Sequence, residues 1–400
     1  MNNIKDDFIF FKNNPDIVYL DNAATTQKPD ICINAITEYY GKYNTNIFRS
    51  VNKLTDFSEK EYYRAKDIIA SSVGMKGDEI AFTYNATDSL NIIAEIVTCN
   101  FVKKNGNVIV SSLEHHSNIL PWIKYCQRYN YAIRYIPLNS DGEIDYSALS
   151  SLIDNDTICV SITGASNING NITDIEFVSD ICKQKGVPLI LDLTQLVHHV
   201  KVDLSKIRFE YAAFSSHKMY GPSGLGILVC GNEEASNQIG RAGGGMIDDA
   251  TETSFVRKKG AVGFEAGTQN IPSVIGLART REYLDSLKPD VYKKEIELKN
   301  EFLDYLENSD GIRVVKHIKN TVPVVAFNFE YIHASDANMI LDKMGIYVRS
   351  GKFCAYKAMK ELGEESALRV SFGIYNTRKD LEKLTEGLEY IKKKYGKSAR

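Results

Sequence analysis

The stretch that decides the fold reads Phe214-Ser215-Ser216-His217-Lys218-Met219-Tyr220-Gly221-Pro222 and follows an apolar run. Upstream of it, Asp192-Leu193-Thr194-Gln195 ends another apolar run. A structural lysine normally lies on a solvated helix face, but Lys218 lies in a segment poor in charge. Burial lowers the pKa of a lysine and frees its amine to attack a carbonyl, as a Schiff-base lysine must. Because a carboxylate such as Asp192 can keep a pyridinium nitrogen protonated, the two segments together predict a site for pyridoxal 5'-phosphate (PLP).

The segments around this stretch alternate between short apolar strands and helical patterns. Several strands are continuous apolar runs, which is typical of a parallel sheet covered on both faces. Strands are predicted at 79–83, 107–111, 132–137, 157–163, 188–192, 211–214 and 226–230. Helices are predicted between them at 58–72, 88–103, 118–129 and 175–184. This alternation predicts an α/β fold with a mostly parallel sheet.

The last third of the chain has a different pattern. One long helix is predicted from about residue 273 across Pro289 to residue 307. It is followed by predicted strands at 313–316, 324–329, 346–349 and 367–371 and helices at 334–344 and 378–394. We therefore predict a large α/β domain over residues 15–282 and a small α+β domain over residues 283–400, with residues 1–14 packing on the small domain.

Composition and charge exclude several classes of function. The chain has 400 residues and a net charge of −3, so we expect no nucleic-acid partner and no binding to an anionic membrane. No apolar run reaches bilayer-spanning length and no signal-peptide pattern is present, so we expect a cytoplasmic protein. Its 7 cysteines are scattered without a Cys-x-x-Cys pair, so no metal site is predicted.

Polar residues follow three further predicted strands. Thr87 opens a helix and can hold a phosphate, His115 can stack on a pyridine ring, and Asn167 can donate to a substrate or to the cofactor. Taken singly, these are also readable as a helix cap, a loop histidine and an Asn-rich turn. Because ligands of parallel sheets bind at the carboxyl ends of the strands, their shared position favours one common site.

Two features near the C-terminus indicate the chemistry. Cys354 lies in Arg349-Ser350-Gly351-Lys352-Phe353-Cys354, a polar, electropositive loop that we predict to be mobile and that favours the thiolate form. Arg369 lies inside an apolar strand pattern. A buried arginine needs a carboxylate partner, and an amino-acid substrate supplies one with bidentate geometry.

With these residues together, the chain resembles the cysteine desulfurases, in the group-II (SUF-type) branch of the class V aminotransferase-like, fold-type I PLP enzymes. The likeness runs from Val18 to the C-terminal helix and includes Glu114-His115-His116, Ser166-Asn167 and Phe264-Glu265-Ala266-Gly267-Thr268. The pattern Arg349-x-Gly351-x-x-Cys354 is similar to the short cysteine loop of that branch. The fold it implies is a fold-type I PLP-dependent transferase.

The resemblance implies a role for each site residue. L-cysteine would be converted to L-alanine, with Lys218 binding PLP and Cys354 taking the sulfur as a persulfide. It also implies a homodimer, in which Thr268 reaches the phosphate in the partner subunit, and a sulfur-acceptor protein for iron–sulfur cluster assembly or a specialised sulfur pathway. The other implied contacts are Asp192 to the pyridine nitrogen, Gln195 to the phenolic oxygen, His115 to the ring, Thr87, Ser215 and His217 to the phosphate, and Asn167, Arg349 and Arg369 to the substrate.

Some segments depart from the family pattern. Relatives carry His-Arg-Gly-x-His where this chain has Phe48-Arg49-Ser50-Val51-Asn52, a histidine where it has Gly164, and Pro-Trp-Arg/Lys where it has Ala261-Val262-Gly263. The segment that forms a hairpin over the partner's active site in relatives is also shorter here. Two other functions therefore stay open: a persulfide-free PLP lyase, such as a selenocysteine lyase or a C–S lyase, and a non-catalytic scaffold.

Overall fold

The apolar runs in the first part of the chain form one seven-stranded sheet. The structure is a computed structural model that describes residues 4–47, 52–100, 103–287 and 290–396. Across the sheet the strands lie in the order Ile80–Thr83, Gly226–Cys230, Tyr211–Ser215, Leu189–Asp192, Thr157–Thr163, Asn107–Ser111 and Ala132–Ile136. Neighbouring strands are parallel, except that Gly226–Cys230 runs antiparallel to both of its neighbours. The predicted α/β fold with a mostly parallel sheet is confirmed.

Both faces of this sheet are covered. Val108 and Val110 belong to one hydrophobic cluster and Ile109 to another, because successive side chains of a strand point to opposite faces. The helices of this part of the chain are Asp30–Glu38, Lys53–Ser71, Ala86–Asn100, Leu120–Tyr129, Tyr146–Leu152, Ile175–Lys185, Glu233–Ser236 and Ile271–Ser286. Burial on two faces explains why the strands read as continuous apolar runs.

The C-terminal part builds a second, antiparallel sheet. Its four strands lie in the order Ile312–Val314, Val324–Phe329, Ala367–Ser371 and Arg349–Gly351. The accompanying helices are Asp290–Glu307, Ala334–Lys343, Tyr356–Glu361 and Arg378–Tyr395. A separate hydrophobic cluster that includes Phe302, Phe327 and Leu384 lies between the sheet and three of these helices, Asp290–Glu307, Ala334–Lys343 and Arg378–Tyr395.

The N-terminal residues connect the two parts. Val18–Tyr19 pairs in parallel with Ile346–Tyr347, although the predicted boundary assigns residue 18 to the large domain. The short helix Ile9–Asn13 and the preceding Phe8 pack against Tyr220 and Tyr375. The described part of the predicted 1–14 segment thus contacts both regions, and the domain boundaries at 15–282 and 283–400 stay a prediction.

The prediction of one long helix across Pro289 is wrong. The structure has two helices, Ile271–Ser286 and Asp290–Glu307, with residues 288 and 289 outside the described ranges. Leu287, at the end of the first helix, already has an extended backbone with φ −72° and ψ 148°, so the helical pattern is interrupted there. A proline shortly after a helix end is common, because it has no backbone N–H with which to continue the helix.

Two of the segments that depart from the family pattern can be compared with the structure. The strands Ile247–Ala250 and Phe255–Arg257 form an antiparallel hairpin in the segment that is shorter than in relatives. The departure at Phe48-Arg49-Ser50-Val51 lies outside the described residues.

No helix in the described ranges combines the length and apolar character needed to cross a lipid bilayer.

Candidate active site

A cavity of about 320 Å³ lies where the loops after the central strands meet the C-terminal sheet. It brings together residues that are distant in the sequence, as expected for the carboxyl edge of a parallel sheet. The predicted site residues that line it are Thr87, His115, Asn167, Asp192, Gln195, Ser215, His217, Lys218, Arg349, Cys354 and Arg369. Thr268 is absent from this lining.

Lys218 ends a single 3₁₀ turn, Ser216–Lys218, directly after the strand Tyr211–Ser215. Burial lowers the pKa of its ammonium group to about 8, and the positive charge of Arg369 acts in the same direction. A larger fraction of the Lys218 amine is therefore uncharged near neutral pH than for a lysine of ordinary pKa, although the protonated form still predominates at pH 7. In its uncharged form the amine can act as a nucleophile or as a base.

Asp192 and Gln195 come from the turn after the strand Leu189–Asp192. Asp192 Oδ1 accepts a hydrogen bond of 3.0 Å from the backbone N–H of Thr194, and burial raises the pKa of the Asp192 carboxyl. Gln195 Nε2 donates to the carbonyl of Ala23 at 2.8 Å. Gln195 Oε1 is buried and has no partner among the described residues. The turn thus presents a buried carboxylate and a free acceptor to the cavity.

A polar cradle lies at the start of the helix Ala86–Asn100. The backbone N–H of Ala86 donates to Ser215 Oγ at 2.8 Å, and Thr87 Oγ1 lies 2.7 Å from Ser117 Oγ. Gly226 allows this approach, because a Cβ there would collide with the backbone of Asn85. The N-terminus of a helix attracts anions, so this end of the cavity suits a phosphate.

Histidines line the cavity in their neutral form. His115 Nδ1 accepts a hydrogen bond of 3.1 Å from the backbone N–H of Ser117, and burial lowers the pKa of His115 to about 3. Burial also lowers the pKa of His217 to about 4. A neutral imidazole at His115 is suited to lie against an aromatic ring but is not an acid near neutral pH.

Glu114 fixes the turn that carries His115, and the sequence analysis gave it no role. Its Oε1 accepts from the backbone N–H of Thr163 and its Oε2 from Asn118 Nδ2, both at 2.7 Å. Burial raises the pKa of the Glu114 carboxyl to about 8. The signal in the sequence was an acidic residue only three positions after the apolar strand Asn107–Ser111, where a surface charge would be unexpected.

Arg369 projects from Ala367–Ser371, one of the two inner strands of the C-terminal sheet, and is almost fully buried. Its Nη1 donates to the backbone carbonyl of Asn167 at 2.9 Å, and its Nη2 donates to Asp21 Oδ1 at 2.8 Å. Its Nε has no partner among the described residues. Arg349 Nη1 lies 3.6 Å from the other oxygen of Asp21. Like the contacts of Glu114, those of Asp21 were not predicted from the sequence.

The loop that carries Cys354 is fixed at its backbone. The backbone N–H of His116 donates to the carbonyl of Cys354 at 2.7 Å, and Asn167 Nδ2 donates to that of Phe353 at 2.9 Å. Phe353 and Cys354 have φ angles of 52° and 53°, which are strained for residues other than glycine. The predicted mobile loop is therefore tethered in the structure, and Cys354 itself is exposed and lines the cavity.

Thr268 lies outside the main cavity, at a smaller one that it shares with Ile47, Gly244 and Gly245. A single chain therefore does not place it with Lys218. Of the other cysteines, five are buried, while Cys99 is exposed on the helix Ala86–Asn100. Across the described ranges, no group of three or more His, Cys, Asp or Glu residues is arranged to hold a metal ion.

Comparison with known proteins places this site in a family. The aminotransferase class-V family matches residues 18–384. A probable cysteine desulfurase from Halalkalibacterium halodurans is 33% identical over 388 residues, which cover 96% of this chain and 95% of that protein. Another, from Borreliella burgdorferi, is 32% identical over 393 residues, covering 95% and 92%.

Solved structures agree with the sequence matches. A cysteine desulfurase from Escherichia coli, in an S-sulfonic acid form, superposes with a TM-score of 0.91 at 27% identity and covers 99% of both chains. The apo cysteine desulfurase from Thermococcus onnurineus superposes with a TM-score of 0.90 at 31% identity and covers 97% of both. The chain therefore belongs to the aminotransferase class-V family and, within it, to the cysteine desulfurases.

Proposed function

We propose that this protein is a PLP-dependent enzyme that converts L-cysteine to L-alanine and collects the sulfur on Cys354 as a persulfide. One observation carries the proposal: Lys218, Asp192, Arg369 and Cys354 line the same cavity although they come from four separate segments. A lysine nucleophile, a buried carboxylate, a carboxylate-binding guanidinium and an accessible thiol are the groups that this reaction needs.

The residues of the cavity fit PLP. Asp192 would bind the pyridine nitrogen. Burial raises the pKa of the Asp192 carboxyl, and a protonated nitrogen beside it would stabilise the carboxylate form. Gln195 Oε1 is buried, has no partner within the described ranges and could accept from a protonated phenolic oxygen. The phosphate would lie in the cradle of Thr87, Ser215 and His217. When bound, PLP supplies an electron sink that stabilises negative charge at the substrate Cα.

The protein's own groups then orient the substrate. Arg369 would bind the substrate carboxylate, because its Nε, which bonds to none of the described residues, leaves a donor for one of the oxygens. Lys218 Nζ would take the proton from the substrate Cα, for which the lowered pKa keeps enough free amine. His115 would lie against the aromatic ring as a neutral imidazole.

Cys354 would perform the sulfur transfer. Its thiolate attacks the sulfur of the substrate, and the electron pair of the substrate's Cβ–Sγ bond stays on Cβ. Addition of a proton to Cβ completes the methyl group of alanine, while the sulfur atom remains on Cys354 as a persulfide. The bonds from His116 and Asn167 to the loop backbone keep this thiol at the cavity.

The wider context follows from the same proposal. A persulfide on an exposed cysteine can pass its sulfur to an acceptor protein, and iron–sulfur cluster assembly or a specialised sulfur pathway would use it. We further propose a cytoplasmic homodimer in which Thr268 completes the phosphate site of the partner subunit. The short cysteine loop supports the group-II branch, as the sequence analysis proposed.

The experiment compares two exposed cysteines. Cys354→Ala should still bind PLP and cysteine, but alanine formation should fall to background because no thiol takes the sulfur. Cys99→Ala is the matched control, since Cys99 is also exposed but does not line the cavity. Mass spectrometry of the wild type after a brief exposure to cysteine should find one added sulfur atom on the Cys354 peptide. Alanine formation by Cys354→Ala at the wild-type rate would favour a persulfide-free lyase instead, and no cysteine turnover by the wild type would favour a scaffold.

A further inference from the structure

The imidazole of His116 bonds to the chain just after Cys354. Its Nε2 accepts the backbone N–H of Tyr356, with 3.2 Å between the two nitrogens. Tyr356 begins the helix Tyr356–Glu361, and the N–H of a helix's first residue finds no acceptor within the helix itself. The bond requires the tautomer that carries its proton on Nδ1 and leaves Nε2 as an acceptor. The side chain thus fixes the point at which the cysteine loop enters its helix.

His116 also holds the loop through its backbone. Its N–H donates to the carbonyl of Cys354 at 2.7 Å. Only Ala355, which is fully buried, lies between the two bonded groups, and we refer to the two bonds together as the His116 clamp. The backbone of Cys354 has a strained φ of 53°, so the thiol keeps its direction only while the neighbouring segment is held.

The ring of Tyr356 covers that of His116. The ring centres are 5.1 Å apart and the planes are 7° from parallel. The ammonium group of Lys352 lies 4.7 Å from the centre of the Tyr356 ring, where the π electrons attract a cation. The described residues that line the main cavity include His115 but not His116. His116 therefore acts on the loop and does not contact the reacting atoms.

We propose that His116 is a positioning residue for sulfur transfer, which uses the neutral Nε2 of its imidazole to hold the Cys354 thiol at the cavity. The inference rests on the proposed function, because sulfur transfer is the step that the His116 clamp serves. A protonated imidazole carries a hydrogen on Nε2 and cannot accept from the Tyr356 N–H. The His116 clamp is complete while the ring is neutral and loses its side-chain bond when the ring takes up a proton.

This bond makes sulfur transfer sensitive to acid. Burial lowers the pKa of His116 from its ordinary value of 6.5, so the bond is fully present above pH 6.5 and is lost as the pH falls through the lowered pKa. The titratable and charged groups on the elements packed against His116 include His115, Lys352, Cys354, Tyr356, Lys124 and the ion pairs Asp88–Arg241 and Lys357–Glu361. A comparison of variants at the same pH cancels the titration of these groups.

The first test separates the imidazole from the backbone bond. His116→Ala keeps the N–H that bonds to Cys354 but removes the acceptor for Tyr356, so persulfide formation in a single turnover should slow by about fivefold, as expected for one neutral hydrogen bond. His116→Gln supplies an amide oxygen as acceptor and should restore most of the rate. Spectral titration should find the affinity for cysteine little changed in both variants.

A second histidine provides the matched control. The Nδ1 of His333 accepts the backbone N–H of Ser335 at 3.3 Å, at the start of the helix Ala334–Lys343. Because His333 is exposed and does not bond to the cysteine loop in the described ranges, His333→Ala should leave persulfide formation unchanged.

The pH dependence is a readout that a merely structural role would not move. The wild-type rate divided by the His116→Gln rate should be constant above pH 6.5 and should fall below it, when measured down to about pH 4.5 to cover the usual range of histidine pKa values. A ratio independent of pH would overturn the proposal, as would a wild-type rate in His116→Ala or a rate in His116→Gln as low as that of His116→Ala. If His116→Ala does not fold, this ratio decides the question.

Hydrogen exchange tests the His116 clamp without turnover. In the PLP-loaded protein, the amide of Tyr356 should exchange faster in His116→Ala than in the wild type or His116→Gln. Equal exchange in all three proteins would overturn the proposal. A wild type that forms no persulfide from cysteine would refute the proposed function, whereas the exchange of the Tyr356 amide would still show whether the imidazole holds the loop.

Discussion

Lys218 has an environment that favours its uncharged form. Burial and the nearby charge of Arg369 lower the pKa of its amine to about 8 from 10.5, while Asp192 acts in the opposite direction. The amine is protonated below that pKa and free above it. At a pH near 8, a lysine in water would be almost entirely protonated, because its ordinary pKa is 10.5. The surroundings of Lys218 therefore make its amine available for covalent chemistry.

This pKa predicts how cofactor loading depends on pH. The rate at which cofactor-free protein bonds to added PLP should increase with pH, with its midpoint near pH 8, because only the neutral Lys218 amine attacks the aldehyde. Rapid-mixing absorbance measures this rate. Lys299→Gln is the matched control, since Lys299 is also buried with a lowered pKa but bonds to Thr321, away from the cavity. A midpoint near the ordinary lysine value of 10.5 would contradict the prediction.

At this scale the sequence predicted the residues whose chemistry is unusual for their surroundings. Lys218 and Arg369 were found because charges in apolar segments need a reason. The contact of Asp21 was not found, because it depends on the pairing of Asp21 with Ser371, which are far apart in the sequence. Nor does the sequence show that Asn167 donates to the carbonyl of Phe353, since such a bond depends on how the two parts of the chain meet.

The loop of Cys354 shows how an element is held in an unfavourable conformation. Left-handed φ angles at Phe353 and Cys354 cost on the order of 1 kcal/mol each or more. The bonds from Asn167 and His116, together with the packing of the Phe353 ring 5.0 Å from the Arg369 guanidinium, offset that cost. The position of the thiol therefore depends on these contacts.

Asn167→Ala should separate sulfur transfer from substrate binding. Loss of its bond to the carbonyl of Phe353 should slow persulfide formation on Cys354 by about tenfold, the upper range for one neutral hydrogen bond. Binding of cysteine should change little, because Arg369 contacts only the backbone of Asn167. Single-turnover mass spectrometry and spectral titration measure the two quantities.

The control for this variant lies in the same turn. Asn171 Nδ2 donates to the carbonyl of Gly142 at 2.9 Å, and Asn171 does not line the cavity, so Asn171→Ala should leave persulfide formation unchanged. A weaker affinity for cysteine with normal transfer would instead make the Asn167 side chain a substrate ligand, as the sequence analysis proposed.

At the scale of helices and strands, the prediction was accurate where the pattern of apolar residues is clear. The strands Thr157–Thr163 and Gly226–Cys230 have the predicted bounds, because each is a continuous apolar run between polar segments. The direction of Gly226–Cys230 could not be predicted, since burial on both faces gives the same pattern in either direction. The helix Asp30–Glu38 was missed because most of its residues are exposed, including the apolar Ile31 and Ile33, so the sequence does not mark one buried face.

For the whole molecule, Thr268 lies in a place that a single chain does not explain. It lines small cavities with Gly245 and with Asn270, not the cavity of Lys218. We expect that in a homodimer it reaches the phosphate of the partner subunit, so that each active site needs two chains. Light scattering should then report a dimer, and a stable, active monomer would contradict this expectation.

Mixing two inactive variants tests this arrangement directly. Lys218→Ala lacks the nucleophile, and Thr268→Trp would block the phosphate of the partner subunit. In a mixed dimer, one site combines an intact Lys218 with an intact Thr268 from the other chain. With random exchange of subunits, half of the dimers are mixed and each has one working site, so activity should return to roughly a quarter of the wild-type value. Mixing Lys218→Ala with Cys354→Ala, which both belong to the same chain's site, should by contrast restore nothing. No recovery in the Thr268 mixture would mean that each chain completes its own site, whereas recovery in the control would mean that Cys354 acts in the site of the partner subunit.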